Sequence, residues 1–147
     1  MNSTPSQHVV VVGQGYVGLP LSVAAIGAGN RVTGIDLDKR KINLLTSGLS
    51  PVGDVPSATI KTALDRGSYL ASDDYLDATD FDFAIITVPT PLKRGDPDLS
   101  FIKSAGKSLA QYLRPGATVI LESTTYPGTT EELLLPLLED GSGLVAG

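Results

Sequence analysis

At 147 residues with 41% hydrophobic content, the chain is long enough for one domain with a sizeable core, and it has no apolar run able to cross a bilayer. A formal net charge of −5, with basic residues scattered among acids, argues against a nucleic-acid backbone as partner. The absence of cysteine excludes disulfides, thiolate metal sites and a cysteine nucleophile within the chain, and with a single histidine no metal site is expected.

Met1 to Gln7 is a short polar lead without the apolar core of a secretory signal, so a cytoplasmic protein is expected. His8 opens the first strand and reads as an edge residue rather than a ligand or base. Val9 to Val12 are four β-branched residues in a row, the pattern of a parallel strand buried on both faces. Gly13, Gln14, Gly15, Tyr16, Val17 and Gly18 follow as Gly-x-Gly-x-x-Gly where that strand should turn into a helix. Gly13 allows the tight turn, Gly15 lets a pyrophosphate approach backbone N–H groups, and Gly18 lets the helix lie close on the strand. The spacing predicts a dinucleotide cradle. Pro20 breaks a local rule, since a helix starting near Tyr16 would place it in the second turn, where its missing N–H removes a backbone bond.

Leu19 to Ala28 is small and aliphatic, suited to a helix on a sheet, and Gly29-Asn30 closes it. Arg31 to Ile35 reads as a second strand with Asp36 at its C-terminal end, where a carboxylate accepts hydrogen bonds from adenosine ribose hydroxyls. A carboxylate there repels the 2′-phosphate of NADP and favours NAD. Lys39, Arg40 and Lys41 come next and could hold a phosphate, or form the solvated first turn of the next helix.

That helix is predicted from Lys39 to Ser47 with Asp38 as its cap, followed by a loop over Leu49 to Val55 and a helix from Pro56 to Arg66. Tyr69 to Ala71 is a third strand, and Asp73 to Asp80 a solvated connection with a helical turn. Phe81 to Val88 is almost wholly apolar and reads as a central fourth strand. Pro89, Pro91 and Pro97 predict that Pro89 to Pro97 forms no regular structure. A helix from Leu99 to Tyr112 capped by Asp98, a fifth strand from Thr118 to Leu121 and a polar loop to Gly128 follow. Thr129 to Glu139 reads as a helix that Pro136 should kink or divide, and Leu144 to Ala146 could begin a sixth strand.

Strands alternating with helices predict an α/β, Rossmann-type open parallel sheet of order 3-2-1-4-5, with the sixth strand truncated or incomplete. The loops after strands one, four and five then converge at the carboxyl edge, where such sheets bind ligands.

Several separate stretches together resemble the UDP-glucose/GDP-mannose dehydrogenase family in its N-terminal NAD-binding domain. They are Val12 to Leu21, Gly48 to Val55, Val-Pro-Thr-Pro-Leu at Val88 to Leu92, Pro-Asp-Leu-Ser at Pro97 to Ser100, and Glu-Ser-Thr-Thr-Tyr-Pro-Gly-Thr-Thr-Glu-Glu at Glu122 to Glu132. The wording Gly-Tyr-Val-Gly-Leu-Pro-Leu looks closest to the branch that oxidises UDP-N-acetylhexosamines. Members oxidise the C6 alcohol of a nucleotide sugar to a carboxylate with two NAD, through covalent intermediates on a cysteine. The resemblance implies that Gly13, Gly15, Tyr16, Val17 and Gly18 hold the pyrophosphate, Asp36 the adenosine ribose, and that Lys41 lies along the adenosine side. It implies that Val88, Pro89 and Thr90 line the cofactor's ribose region and Thr124 and Thr125 the nicotinamide end, with Thr125 helping to position a catalytic water. The family's nucleophile and sugar-binding domain would lie beyond residue 147, so residues 1–147 are expected to be a single NAD-binding domain, a fragment of a longer enzyme. Such an enzyme would take a UDP-sugar through the missing part and form a homo-oligomer when full length. Glu122, Glu131 and Glu132 do not match the family's glutamate pair. A stand-alone module that senses NAD or NADH for a partner is the alternative. A methyltransferase using S-adenosylmethionine is disfavoured by the complete glycine pattern.

Overall fold

The computed structural model describes residues 4–147; Met1–Ser3 of the polar lead lie outside the described residues. Strand β1 (His8–Val12) is central, pairing in parallel with β2 (Arg31–Ile35) on one side and β4 (Phe83–Ile86) on the other. Beyond them lie β3 (Tyr69–Ser72) and β7 (Thr118–Leu121), so the parallel sheet runs β3-β2-β1-β4-β7, the predicted order. The fourth strand is shorter than Phe81 to Val88 predicts, but it does occupy an inner position.

Because alternate residues of a strand face opposite sides, the valine run of β1 divides between two cores. Val9 and Val11 pack with Leu19, Leu45 and Ile60 from helices α1 (Gly18–Gly27), α2 (Lys39–Thr46) and α3 (Ser57–Asp65). Val10 and Val12 pack on the other face with Ala105, Leu109 and Leu138 from α4 (Ser100–Ala110) and α5 (Leu135–Ser142). Helices on both faces explain why β1 contains no polar alternation.

The strand register fixes the functional edge. Val12 stands opposite both Ile35 and Ile86, and Ile86 opposite Leu121. Each next residue continues the ladder: Gly13 N–H donates to Ile35 O (2.7 Å), Thr87 N–H to Val12 O (2.8 Å) and Glu122 N–H to Ile86 O (2.9 Å). Gly13, Asp36, Thr87 and Glu122 therefore form one row from which the loops depart together.

Several expectations are corrected by the structure. His8 is buried at the amino end of a central strand, with Nε2 2.8 Å from Thr33 Oγ1. Burial and then the Arg31 charge hold its pKa below the usual imidazole value, so it is a neutral packing residue remote from the carboxyl edge. Pro89 to Pro97 does contain regular structure, a small antiparallel pair of β5 (Leu92–Lys93) and β6 (Asp96–Pro97). Arg94 (φ 55) and Gly95 (φ 92) supply the two positive φ values of a tight hairpin turn, while Pro97 sits at the strand end, where its missing N–H is tolerated.

Leu144 to Ala146 forms no strand. The Ala146 N–H instead donates to Glu139 Oε1 (2.9 Å), and among the described residues β7 pairs with β4 alone. The helix predicted from Thr129 divides as Pro136 requires, into a π-helical turn (Thr130–Leu134) and α5, with Pro136 in the first turn of α5. Pro20 also resolves. α1 begins at Gly18, so Pro20 is its third residue, and the acceptor deprived of a donor is the carbonyl of exposed Tyr16, which water can reach.

Candidate functional site

A cleft of about 560 Å³ opens along the row of strand ends. Gly13, Gly15, Tyr16, Val17, Asp36, Lys41, Val88, Pro89, Thr90 and Thr124 all line it. Ten of the twelve residues singled out from sequence are thus brought together by four loops. Gly18 lies beneath the wall, and Thr125 is outside the lining, its hydroxyl 2.8 Å from that of Thr129.

Each glycine of the turn has a different reason to be glycine. Gly13 has φ +96, and a Cβ there would sit 2.7 Å from the Thr87 carbonyl oxygen. At Gly18 a Cβ would run into the Gly13 carbonyl, 2.8 Å from its carbon, so the third glycine lets α1 begin directly against the turn. Gly15 is otherwise. A Cβ there would meet Lys41 Nζ alone, at 3.8 Å, so its open face is the space into which a pyrophosphate could come. The α1 N-cap, Val17, contributes no side-chain hydrogen bond, which leaves that helix terminus to an anion or water.

Asp36 is held in place from three directions. Oδ2 accepts from Gln14 N–H (2.8 Å) and lies 3.5 Å from Lys41 Nζ, while Oδ1 accepts from Asp38 N–H (2.9 Å). Asp36 lines the cleft, and a carboxylate with lone pairs to spare suits a vicinal diol. Lys41 is half-buried beside this carboxylate, whereas Lys39 and Arg40 are 81% and 92% exposed and belong to the solvated face of α2.

The far end of the cleft is laced by loop-to-loop bonds. Thr90 Oγ1 donates to Thr124 O (2.7 Å), Ser123 Oγ to Val88 O (2.8 Å), and Tyr126 OH to Asp96 Oδ1 of the hairpin (3.3 Å). The segments after β4 and β7 therefore behave as one wall.

Sequence reasoning missed three residues of this site. Thr87 sends its hydroxyl to Val12 O and Gly13 O, each at 2.9 Å, locking the glycine turn from β4. Tyr75 lines the same cleft as Asp36; burial, then the Asp36 charge, pushes its phenol up to about 12, so it stays protonated. Gln14 lies fully buried under the turn. A threonine at a strand end was the one legible hint; the other two depend on neighbours distant in sequence.

These features fit a dinucleotide, and comparison with known proteins agrees. Residues 7–146 match the UDP-glucose/GDP-mannose dehydrogenase family, NAD binding domain. The chain belongs to that family. Its relatives include the UDP-N-acetyl-D-glucosamine 6-dehydrogenase of Pseudomonas aeruginosa, 40% identical over 92% of this chain and 32% of that protein. Among solved structures, the UDP-D-ManNAc dehydrogenase of Pyrococcus horikoshii superposes with a TM-score of 0.89 at 35% identity, over 95% of this chain and 34% of its own. A GDP-mannose dehydrogenase of Pseudomonas aeruginosa, in a ternary complex, gives 0.87 at 33% identity, over 95% and 33%. The chain spans about a third of the length of each.

As an NAD-binding domain of the UDP-glucose/GDP-mannose dehydrogenases, the chain takes NAD as its cofactor. The relatives are named as dehydrogenases, which gives the sensing-module alternative no support. Among the described residues no helix is long and apolar enough to cross a membrane.

Proposed function

We propose that the chain is the single cofactor-binding domain of a longer, cytoplasmic, homo-oligomeric dehydrogenase that oxidises the C6 alcohol of a UDP-sugar to a carboxylate using two NAD. The observation that carries this reading is the shared cleft. One wall holds an open glycine turn and a fixed carboxylate, and the other holds the laced threonine loops. The substrate class rests on the relatives, two of which are named for UDP-N-acetylhexosamines.

Within this reading the backbone of Gly13, Gly15, Tyr16 and Val17 and the start of α1 bind the pyrophosphate, with Gly18 permitting their approach. Asp36 accepts the adenosine ribose hydroxyls, Lys41 neutralises charge beside it, and Val88, Pro89 and Thr90 line the second ribose. Thr124 borders the nicotinamide; the water-positioning role of Thr125 rests on the family resemblance alone, since its hydroxyl lies outside the lining against that of Thr129. Bound NAD supplies a hydride acceptor. Reaching a carboxylate takes two such oxidations, with the aldehyde stage held by a nucleophile, and the 147 residues include no cysteine to hold it.

The expected result is binding without turnover. The 147-residue chain should quench or enhance NADH fluorescence on titration yet form no NADH from NAD and UDP-N-acetylhexosamines. A longer product of the same gene with a downstream cysteine should form it steadily. Steady NADH formation by the 147-residue chain alone would overturn the proposal, as would a longer, NAD-binding product inactive on every UDP-sugar.

A further inference from the structure

Gln14 stands between two glycines of a turn that faces ligand, yet its side chain is fully buried beneath that turn. All four of its amide hydrogen-bonding positions are used. Nε2 donates to Val11 O and Gly13 O, both at 3.1 Å; Oε1 accepts from Tyr69 OH of β3 at 2.7 Å and shares the single Ser22 hydroxyl proton of α1, whose Oγ lies 3.2 Å from Oε1 and 2.9 Å from Gly18 O. One amide therefore ties together β1, the turn, the first helix and a strand two places across the sheet. Room for it is made by Gly34 on β2, where a Cβ would lie 2.6 Å from Gln14 Cδ and 2.7 Å from the Tyr69 oxygen. Burial, then the Asp36 charge, holds the Tyr69 phenol above its ordinary pKa, so it remains a donor to Oε1.

The same residue's backbone N–H makes the 2.8 Å bond to Asp36 Oδ2. Side chain and main chain of Gln14 thus work in opposite directions from one Cα. The amide below fixes the peptide plane, and the N–H above aims the carboxylate.

We infer that Gln14, seated on Tyr69 and Ser22, is a positioning residue that acts through Asp36 to set ribose recognition and with it the preference for NAD over NADP. The inference rests on the reading of Asp36 as the ribose acceptor. A residue that merely stabilised the fold would affect both cofactors alike; one acting through Asp36 affects them unequally and has no effect when Asp36 is gone.

The test is calorimetric titration of the 147-residue chain with NAD and NADP. The variants are Gln14→Met paired with Tyr69→Phe, so that no buried phenol loses its partner, and the milder Tyr69→Phe alone, each with and without Asp36→Ala. With Asp36 present, the paired variant should lose NAD affinity by about tenfold, the effect of one misplaced hydrogen bond to a charged group, while NADP affinity changes by less than about twofold. In the Asp36→Ala background the same change should cost less than about twofold for either cofactor. Tyr69→Phe should shift the NAD to NADP ratio in the same direction by a smaller factor, and it decides the matter if the paired variant fails to fold. Equal losses for both cofactors, or a loss that persists without Asp36, would overturn the inference. A parent chain with no NAD preference would remove the Asp36 reading, and the inference with it.

Discussion

Asp36→Ala is expected to weaken NAD binding by roughly 100-fold or more, the loss of two ribose hydrogen bonds to a charged acceptor. NADP binding should improve in the same variant. The carboxylate that repels a 2′-phosphate is removed, and Lys41, 3.5 Å from Asp36 Oδ2 in the parent, loses its acidic partner and is free to face that phosphate. Asp36→Asn should fall between the two, because it keeps one acceptor without the charge. Calorimetry with both cofactors reads the effect directly. A variant whose NAD to NADP ratio matches the parent would place ribose recognition elsewhere in the cleft.

A second large effect is expected at Gly18. Adding one methyl group drives Cβ into the Gly13 carbonyl, a contact of backbone on backbone that no rotamer can relieve. Either α1 slides along the sheet or the turn opens, at a cost of about 3 kcal/mol, near the upper end for overpacking. The melting temperature of Gly18→Ala should then fall by roughly 10 °C for a chain of this size. Loss of NAD affinity should accompany it, since the turn is the proposed pyrophosphate site. Gly27→Ala is the control: in the last turn of the same helix its Cβ meets nothing within 4 Å, and the substitution should raise stability by about 0.5–1 kcal/mol. Gly18→Ala melting with the parent would show that the third glycine is dispensable.

The parts legible in the sequence were those written in local pattern. The valine run of β1, the glycine spacing and an acid at the end of β2 each carry their reason within a few residues and mark Gly13, Gly15 and Asp36 of the cleft, and the alternation of strands with helices carries the strand order; Lys41, Val88, Pro89, Thr90 and Thr124 are reached only through the family resemblance. What escaped depended on residues far apart. No periodicity tells which way a side chain between two glycines points, and Gln14 points inward only because Gly34 and Tyr69, on two other strands, leave it a polar seat. Thr87 reaches 74 residues back to Gly13. His8 reads as an edge residue because the first residue of a strand gives no sign that strands will flank it on both sides. The hairpin at Leu92 to Pro97 escapes because Pro89, Pro91 and Pro97 argue against strands, whereas the positive φ values of Arg94 and Gly95 that make the turn show only in the backbone.

The central claim, that the cleft at the carboxyl edge holds NAD through the glycine turn and Asp36, is tested most directly by titrating the unmodified 147-residue chain with NAD and with NADP in a calorimeter. One NAD should bind per chain, with NADP weaker by about tenfold or more, the ratio that one repelled phosphate produces. An absence of saturable heat with NAD, or equal affinity for the two cofactors, would contradict it.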